Sequence, residues 1–471
     1  MSRKKNKLLQ HITIEAYAAE GKSIARLEEG KVLFVENVVP GDIVDVIITK
    51  DKKSWAQGRV TNLISPSPTR IEPFCQHFGV CGGCKWQMLP YKMQLEYKQQ
   101  QVSDQLTRIG HIELPQIQPI IGSPHERYYR NKLEFTFSQH RYRTFEEINA
   151  SRDLKFEPEP ALGFHAPSLF DKVVEIETCY LQGDPTNKVL EVLRSYSKEH
   201  NFAYYDYHTH TGWLRNAILR VATTGEILLN IIFQHENVAA REALLDHVLA
   251  NVPGITSLHY TINGKMNDTI YDQDVICYHG KPYIEEKLED LRFKISPKSF
   301  FQTNTYQAET LYRITREFAG LTGNQILYDL YCGTGSIGIF CSKGAKKVIG
   351  IEAVEDAVKD AYENAKMNNL DHCQFYAGDV SDICTDAFFA EHGRPDVIIT
   401  DPPRAGMHEK LVQQLLTIKA PRVVYVSCNP ATQARDLQLL DAAYKVTRLQ
   451  PVDMFPHTHH IENVALLELR D

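Results

Sequence analysis

Apolar and polar residues alternate in short stretches over the first sixty residues: Ile12-Thr13-Ile14, Lys31-Val32-Leu33-Phe34-Val35 and Asp42-Ile43-Val44-Asp45-Val46-Ile47-Ile48. Gly21, Gly30 and Pro40-Gly41 punctuate them, and several short strands with close turn signals predict a small β-barrel. Ser65-Pro66-Ser67-Pro68 then reads as a linker, because proline is excluded from helix interiors and central strands. Beyond it the pattern predicts one amphipathic helix, around Tyr91 to Ile109, and many β-like runs such as Leu133-Glu134-Phe135-Thr136-Phe137 and Glu226-Ile227-Leu228-Leu229-Asn230-Ile231-Ile232-Phe233. That order fits an α+β domain with a substantial antiparallel sheet. From about residue 295 strands alternate with helices, as in a doubly wound α/β fold. The expected domains are 1–64, 65–292 and 293–471.

Composition narrows the class. A chain of 471 residues with 43% hydrophobic content has length for roughly three globular domains of about 150 residues. No apolar run reaches the ~18 residues of a membrane span, and Met1-Ser2-Arg3-Lys4-Lys5-Asn6-Lys7 is followed by no signal-peptide core. A soluble cytoplasmic protein, monomeric and away from membranes, is expected. The net charge of -7 argues against a wholly basic nucleic-acid surface but hides local patches. The first sixty residues carry eleven Lys and Arg against eight Asp and Glu, the sign an RNA-facing module needs. There, Gly21-Lys22-Ser23-Ile24-Ala25-Arg26, Val32-Leu33-Phe34-Val35 and Val39-Pro40-Gly41-Asp42 closely resemble a TRAM domain, a small OB-like barrel found on RNA-modifying enzymes.

Three of the ten cysteines crowd together as Cys75, Cys81 and Cys84, the last two flanking Gly82-Gly83. In a reducing compartment this suggests metal ligation over disulfides. Four-thiolate zinc usually draws on two close pairs, whereas a triplet with a distant fourth cysteine suits a cubane iron–sulfur cluster. Cys179 is the best candidate fourth ligand, with zinc as the competing metal. Tyr129-Arg130-Asn131-Lys132 mixes an aromatic with two cations before a strand, a combination that suits either an RNA grip or a structural ion-pair cluster.

The C-terminal region carries a cofactor pattern. Leu327-Tyr328-Asp329-Leu330-Tyr331-Cys332 runs into Gly333-Thr334-Gly335-Ser336-Ile337-Gly338, a strand entering a glycine-rich turn where the backbone can approach a ligand closely. The next strand ends in Glu352, about twenty residues on, where a carboxylate can accept from ribose hydroxyls. A nicotinamide dinucleotide is the competing ligand, but Asp329 before the turn suits a cationic amino-acid group better than a pyrophosphate. This turn resembles the first motif of class I S-adenosylmethionine-dependent methyltransferases. Asp356 to Asn368 and Tyr376-Ala377-Gly378-Asp379 fit the same scheme, with Asp379 near the adenine or else serving as a helix cap. Asp401-Pro402-Pro403-Arg404 closes a fourth motif. Methyltransferases acting on exocyclic amines usually end it in an aromatic, so Arg404 speaks against an amine acceptor.

An acceptor that is not an amine must be activated, and Cys428 offers the means. It ends the run Val423-Val424-Tyr425-Val426-Ser427 just before Asn429-Pro430. Thiolate addition to carbon 6 of a pyrimidine makes carbon 5 nucleophilic. The carbon 5 proton then needs a base, and Glu462 precedes the last strand. His457, His459 and His460 are rivals for that role, and otherwise read as contacts to solvent or RNA.

Taken together, Phe301-Gln302-Thr303-Asn304, Asp329-Leu330-Tyr331-Cys332-Gly333, Ile351-Glu352, Asp401-Pro402-Pro403-Arg404, Ser427-Cys428-Asn429-Pro430 and His460-Ile461-Glu462-Asn463-Val464 resemble the RNA uracil-5 methyltransferase family. The resemblance implies S-adenosylmethionine contact by Gln302, Tyr331, Glu352 and Asp401, attack by Cys428 and proton removal by Glu462. It also implies a four-iron, four-sulfur cluster on Cys75, Cys81, Cys84 and Cys179. The fold it implies is multidomain: a TRAM/OB-like barrel, a central α+β domain with the cluster, and a Rossmann-like class I methyltransferase domain. In that family the transfer-RNA enzymes lack barrel and cluster, so 23S rRNA, not DNA, is the expected partner. Rival readings are a transfer-RNA uracil-5 enzyme, a cytosine-5 enzyme and a non-catalytic RNA-binding iron–sulfur protein.

Overall fold

The structure, a computed structural model, describes residues 7–27, 30–150 and 156–471; the basic stretch from Met1 to Asn6 lies outside them. Strands β1 (Leu8–Thr13), β2 (Ala16–Tyr17), β3 (Ser23–Arg26), β4 (Val32–Val35), β5 (Ile43–Asp51) and β6 (Trp55–Ser65) form one sheet in the order β1-β5-β6-β4-β3-β2. The amide of Ile14 donates to Asp42 O and that of Glu15 to Ile24 O, each at 2.9 Å. The residues between β1 and β2 thus bond to both sides, and the sheet closes on itself. In β4, Leu33 and Val35 are buried while Val32 and Phe34 keep partial exposure, the period of two that a one-sided strand requires. Gly58 answers to a close approach: a Cβ there would stand 2.1 Å from Val46 Cγ1.

The expected linker is pinned to the barrel. Asp42, fully buried, accepts from the amides of Ser67 and Val39, each at 2.8 Å, and from Arg70 Nη2 at 2.6 Å. Burial pushes the Asp42 carboxyl up, but Arg70 and the two amides outweigh it and hold it below its ordinary value. The prolines stop the strand, as read, without making the segment slack.

Helix α1 (Tyr91–Gly110) follows, then a second sheet of β7 (Lys132–Ser138), β8 (Ala161–His165), β9 (Val173–Glu175), β10 (Leu214–Val221), β11 (Ile227–Phe233), β12 (Ile255–Ile262) and β13 (Val275–Gly280). Its order is β13-β12-β11-β10-β7-β8-β9. All neighbours run antiparallel except β11 and β12, which α4 (Val238–Asn251) connects; α2 (Phe145–Ala150) and α3 (Thr186–Glu199) fill the other crossings.

The C-terminal region begins with a hairpin, β14 (Ile284–Leu288) and β15 (Leu291–Ile295), then α5 (Thr305–Ala319). Ile284, Leu288, Phe293 and Ile295 share a core with Leu311 and Phe318 of α5, so a boundary at 292 cuts a hairpin that packs as one piece. Seven strands follow: β16 (Ile326–Leu330), β17 (Lys347–Glu352), β18 (Cys373–Ala377), β19 (Val397–Thr400), β20 (Arg422–Ser427), β21 (Tyr444–Val452) and β22 (Glu462–Leu469). Their order is β18-β17-β16-β19-β20-β22-β21. The first five are parallel, whereas β22 runs antiparallel between β20 and β21. Val423 to Val426 are all 0% exposed, because helices cover both faces of a parallel sheet. Besides α5 these include α6 (Ser336–Cys341), α7 (Glu355–Met367), α8 (Val380–Ile383), α9 (Asp386–His392), α10 (Glu409–Ile418) and α11 (Pro430–Leu440).

Helix α1, read as part of the central domain, packs on this C-terminal sheet instead. Its Val102 and Leu106 share a core with Tyr425, Leu437 and Leu440. Lys98 Nζ lies 2.6 Å from Asp453 Oδ1 with both side chains 0% exposed, and Tyr91 Oη donates to Asp453 Oδ2 at 2.8 Å. Removing one partner of a fully buried pair leaves an uncompensated charge. Lys98→Met is therefore expected to lose roughly 3–5 kcal/mol of stability, read as a lower denaturant midpoint; a loss below about 1 kcal/mol would mean the pair is worth no more than a surface bridge. Among the described residues no helix is long and apolar enough to cross a membrane.

Candidate active site and cysteine cavity

The carboxyl ends of the parallel strands form a rim, where ligands of doubly wound sheets bind. At the end of β16 the backbone turns left-handed at Tyr331 (φ +61°), Gly333 (φ +53°) and Gly335 (φ +77°). Tyr331 is the unusual one, since a non-glycine residue there stores strain on the order of 1–3 kcal/mol. A Cβ on Gly333 would meet no protein atom within 4 Å, which leaves room for a ligand against the turn. Asp329 Oδ2 accepts from Gly338 N at 2.8 Å, while its buried Oδ1 has no partner among the described residues. Burial pushes this carboxyl up to about 7. An unpaired buried acceptor beside an open glycine turn fits a cofactor carrying a cationic amino group.

Glu352, at the end of β17, accepts from Gly333 N and Val354 N, each at 3.0 Å, one on each oxygen. A carboxylate has about four acceptor sites, so capacity for two hydroxyls remains. Gln302 is buried and is not the cap of α5; Asn304 is, accepting from Gln307 N at 3.2 Å. Among the described residues the Gln302 side chain makes no hydrogen bond. Asp379 behaves differently from the other candidates. Its Oδ1 accepts from Ser381 N at 2.8 Å and caps α8 from an exposed position. The cap reading holds, because an acid two residues before a serine at a helix start satisfies an orphan amide.

On the other half of the rim, Cys428 and Glu462 come from neighbouring strands. The register pairs Ser427 with Asn463, so the residues just beyond this pair, Cys428 on one strand and Glu462 on the other, sit together where β20 ends and β22 begins. Asn429 caps α11, accepting from Ala431 N at 3.1 Å, and its Nδ2 donates to Arg404 O at 3.1 Å. This ties the turn after β20 to the loop after β19. Burial pushes the Cys428 thiol up to about 11, with the Glu462 and Asp401 carboxylates adding and Arg404 opposing. Asp401 keeps a solvent-facing edge, yet burial pushes it up to about 7. Glu462, 5% exposed, lies well above the usual carboxylate range because of burial and Asp401, with Arg404 opposing.

Of the three histidines, His457 is buried, whereas His459 and His460 keep part of their surface exposed. The His457 amide donates to Gln94 Oε1 at 2.8 Å, and its carbonyl accepts from Lys85 N at 2.8 Å and Trp86 N at 3.1 Å. His459 lies against the barrel, 3.2 Å from where a Cβ on Gly21 would be. His460 Nδ1 stands 3.4 Å from Arg404 Nη2. Burial holds all three neutral, at about 4, 4 and 3. Tyr129 and Asn131 are also structural: Tyr129 Oη donates to Pro456 O at 2.9 Å, and Asn131 Nδ2 to Gln302 O at 2.9 Å.

Cys75, Cys81, Cys84 and Cys179 all line one cavity of about 600 Å³, together with Arg130 and Thr303. All four thiols are free. Gly82 makes the tight turn possible, since a Cβ there would lie 2.8 Å from His165 O. Among the described residues no group of three or more His, Cys, Asp or Glu stands close enough to hold one metal ion. The four thiols surround one space.

Comparison with known proteins turns this geometry into a class. The tRNA (Uracil-5-)-methyltransferase family profile matches residues 272–470 and the TRAM domain profile matches residues 9–61. An RNA methyltransferase of Bacteroides thetaiotaomicron is 54% identical over 96% of this chain and 100% of its own length. One of Porphyromonas gingivalis is 51% identical over 96% and 98%. Among solved structures, Pyrococcus abyssi tRNA (uracil-54, C5)-methyltransferase in complex with S-adenosyl-L-homocysteine superposes with a TM-score of 0.74 at 29% identity, covering 98% of this chain and 100% of that one. The chain belongs to the RNA uracil-5 methyltransferase family.

As a family member the protein is an S-adenosylmethionine-dependent RNA methyltransferase with an N-terminal TRAM domain. One inference from the sequence must be withdrawn. A structure named as a tRNA enzyme covers 98% of this chain, barrel included, so possession of the barrel does not by itself select ribosomal RNA. Sequence reading also missed Lys98 and Asn131. The only signal for Lys98 was a lysine on the apolar side of a helix, and Asn131 was hidden inside a motif that reads as cationic.

Proposed function

We propose that this methyltransferase transfers a methyl group to carbon 5 of a uridine in RNA, in the cytoplasm, with 23S rRNA as the target, a choice that now rests on the four-cysteine set and its resemblance to the ribosomal-RNA members of the family. The observation that carries the reading is the pairing of β20 with β22, which sets a thiol and a carboxyl side by side on the rim that bears the glycine turn. The Cys428 thiolate adds to carbon 6 of the uracil, and the resulting enolate carries its electron pair to carbon 5. S-adenosylmethionine supplies the electrophilic methyl group and leaves as S-adenosylhomocysteine. Glu462 then takes the carbon 5 proton, the carbon 6 to sulfur bond breaks, and the thiolate returns with the aromatic ring restored. Gln302, Tyr331, Glu352 and Asp401 are assigned to the cofactor, and so is Asp379, whose cap of α8 engages only Oδ1. Burial keeps His457, His459 and His460 neutral and weakly basic, which favours Glu462 as base.

The four-cysteine cavity is assigned to a four-iron, four-sulfur cluster. Support comes from four thiols around one space. Methyl transfer moves no net electron, so the role of such a cluster here is structural. A second reading, a transfer-RNA target, is favoured by the likeness to the Pyrococcus abyssi enzyme. One experiment separates them: unmodified 23S rRNA and tRNA are offered in turn with methyl-labelled S-adenosylmethionine, and the products are analysed as nucleosides. 5-Methyluridine from 23S rRNA is expected. Label confined to tRNA selects the second reading, and 5-methylcytidine or no label overturns both. Anaerobically purified protein is expected to contain iron and labile sulfide in equal amounts; zinc alone removes the cluster assignment.

A further inference from the structure

Residues Tyr128 to Asn131 run between the cysteine cavity and the cofactor side of the rim. On one side the amides of Tyr128 and Arg130 donate to Tyr180 O and Leu181 O, each at 2.8 Å, directly after Cys179. On the other, Asn131 N donates to Thr303 O at 2.8 Å, and its Nδ2 donates to Gln302 O at 2.9 Å and to Thr305 Oγ1 at 2.8 Å. Thr305 Oγ1 donates in turn to the buried carboxylate of Glu286 at 2.7 Å, so the partner that Asn131 holds is itself fixed. Arg130 and Thr303 also line the cavity with the four cysteines. Asn131 is 6% exposed, where lost hydrogen bonds are not replaced by water. Gln302 depends on this support, because its side chain has no hydrogen bond among the described residues and its placement follows its main chain.

We propose that Asn131 is the positioning residue for Gln302, and that through it the contents of the four-cysteine cavity set the affinity for the methyl donor. The inference rests on the assignment of Gln302 to the cofactor and of the cavity to a cluster. A filled cavity fixes Cys179 and the strand-like pairing of 180–181 with 128–130; an emptied one frees that pairing, and Asn131 transmits the change to Gln302. Coupling of this kind through packed, hydrogen-bonded segments is worth roughly five- to thirtyfold in affinity.

The test measures S-adenosylhomocysteine binding by calorimetry to the full-length protein, iron-loaded and after removal of iron by oxidation and chelation. The wild type is expected to bind about tenfold more weakly when emptied. Asn131→Asp, which keeps the shape but turns a donor into an acceptor facing Gln302 O, is expected to keep its iron absorbance and bind about tenfold more weakly whether loaded or not. Asn131→Ser, a smaller donor, recovers part of the loss. In turnover the variant raises KM for S-adenosylmethionine and leaves KM for RNA unchanged, a split that general loosening of the fold does not produce. Equal affinity of loaded and emptied wild type overturns the coupling, as does a wild type that binds no iron, and full affinity in Asn131→Asp overturns the positioning. Gln302→Ala separates the underlying assignment: if it binds S-adenosylhomocysteine as tightly as the wild type, the cofactor reading fails.

Discussion

Cys428→Ala is expected to lose methylation of RNA by on the order of 10⁴- to 10⁶-fold, the scale seen when an enzyme loses its nucleophile. The reason is chemical: carbon 5 of uracil is a poor nucleophile until something adds to carbon 6, and no second thiol at the rim replaces Cys428. Cys332, the nearest in sequence to the glycine turn, is buried and pushed well above the ordinary thiol value by that burial. Asp401 and Glu462 are held toward their neutral forms by burial, which makes them weak nucleophiles. Binding of S-adenosylhomocysteine should survive in this variant, since the cofactor half of the rim is built by β16, β17 and α5. RNA substituted with 5-fluorouridine gives the sharper measurement. Fluorine cannot leave as a proton does, so the wild type should form a protein–RNA adduct that persists on a denaturing gel. An adduct of equal yield in Cys428→Ala would show that another group attacks carbon 6.

The same thiol sets the pH dependence. A group pushed up to about 11 is about 10⁻⁴ ionised near neutral pH, so the thiolate fraction of the free enzyme rises about tenfold per pH unit through the neutral and mildly alkaline range. Glu462 must also lose its proton to act as a base, and its raised value gives the same sign. Both titrations make kcat/KM for RNA climb with pH. A profile that falls between neutral and pH ~9 would point to a protonated residue as the limiting group.

The place of a candidate residue in the fold was legible wherever a motif coincided with a strand end. Cys428, Glu352 and Asp401 stand where an apolar run meets a turn, and a parallel sheet puts all such ends on one rim. Glu462 was legible for the complementary reason, since it starts the one antiparallel strand that enters from that rim. What failed was anything that depends on distant partners. The helix 91–110 shows its length and its apolar stripe in sequence, but its partner is chosen by Asp453, more than three hundred residues away, and by the match of Val102 and Leu106 to Leu437 and Leu440. The linker prolines were read correctly for what they prevent, whereas the pinning of the segment by Asp42, through Ser67 and Arg70, depends on partners more than twenty residues away. The His457 to His460 run looked exposed because histidine is usually half-polar surface; Gln94 closes over His457, while His459 beside the Gly21 turn and His460 beside Arg404 keep part of their surface.

Glu462→Gln is expected to separate the two halves of the reaction. Glutamine keeps the size of the side chain and removes its basicity. Addition by Cys428 and transfer of the methyl group need no base at carbon 5, so both proceed once. Proton removal then stalls, and the carbon 6 to sulfur bond cannot break without the electron pair that deprotonation delivers. The variant should accumulate methylated RNA covalently joined to the protein, in an amount approaching one RNA per enzyme, while multiple turnover falls by about 10²- to 10⁴-fold, the usual contribution of a positioned base. Methyl-labelled S-adenosylmethionine and a denaturing gel read both quantities in one experiment, since the label should run with the protein. Asp401 lies close enough to act on Glu462 electrostatically, and it is the group placed to rescue the variant. If it does, Glu462→Gln turns over within tenfold of the wild type and the double variant Glu462→Gln/Asp401→Asn traps the adduct. Trapping by His460→Ala alone would move the base to the histidine that Arg404 holds at 3.4 Å. With burial keeping that imidazole neutral at about 3, its free nitrogen is too weak a base to hold the carbon 5 proton, and the adduct should release normally.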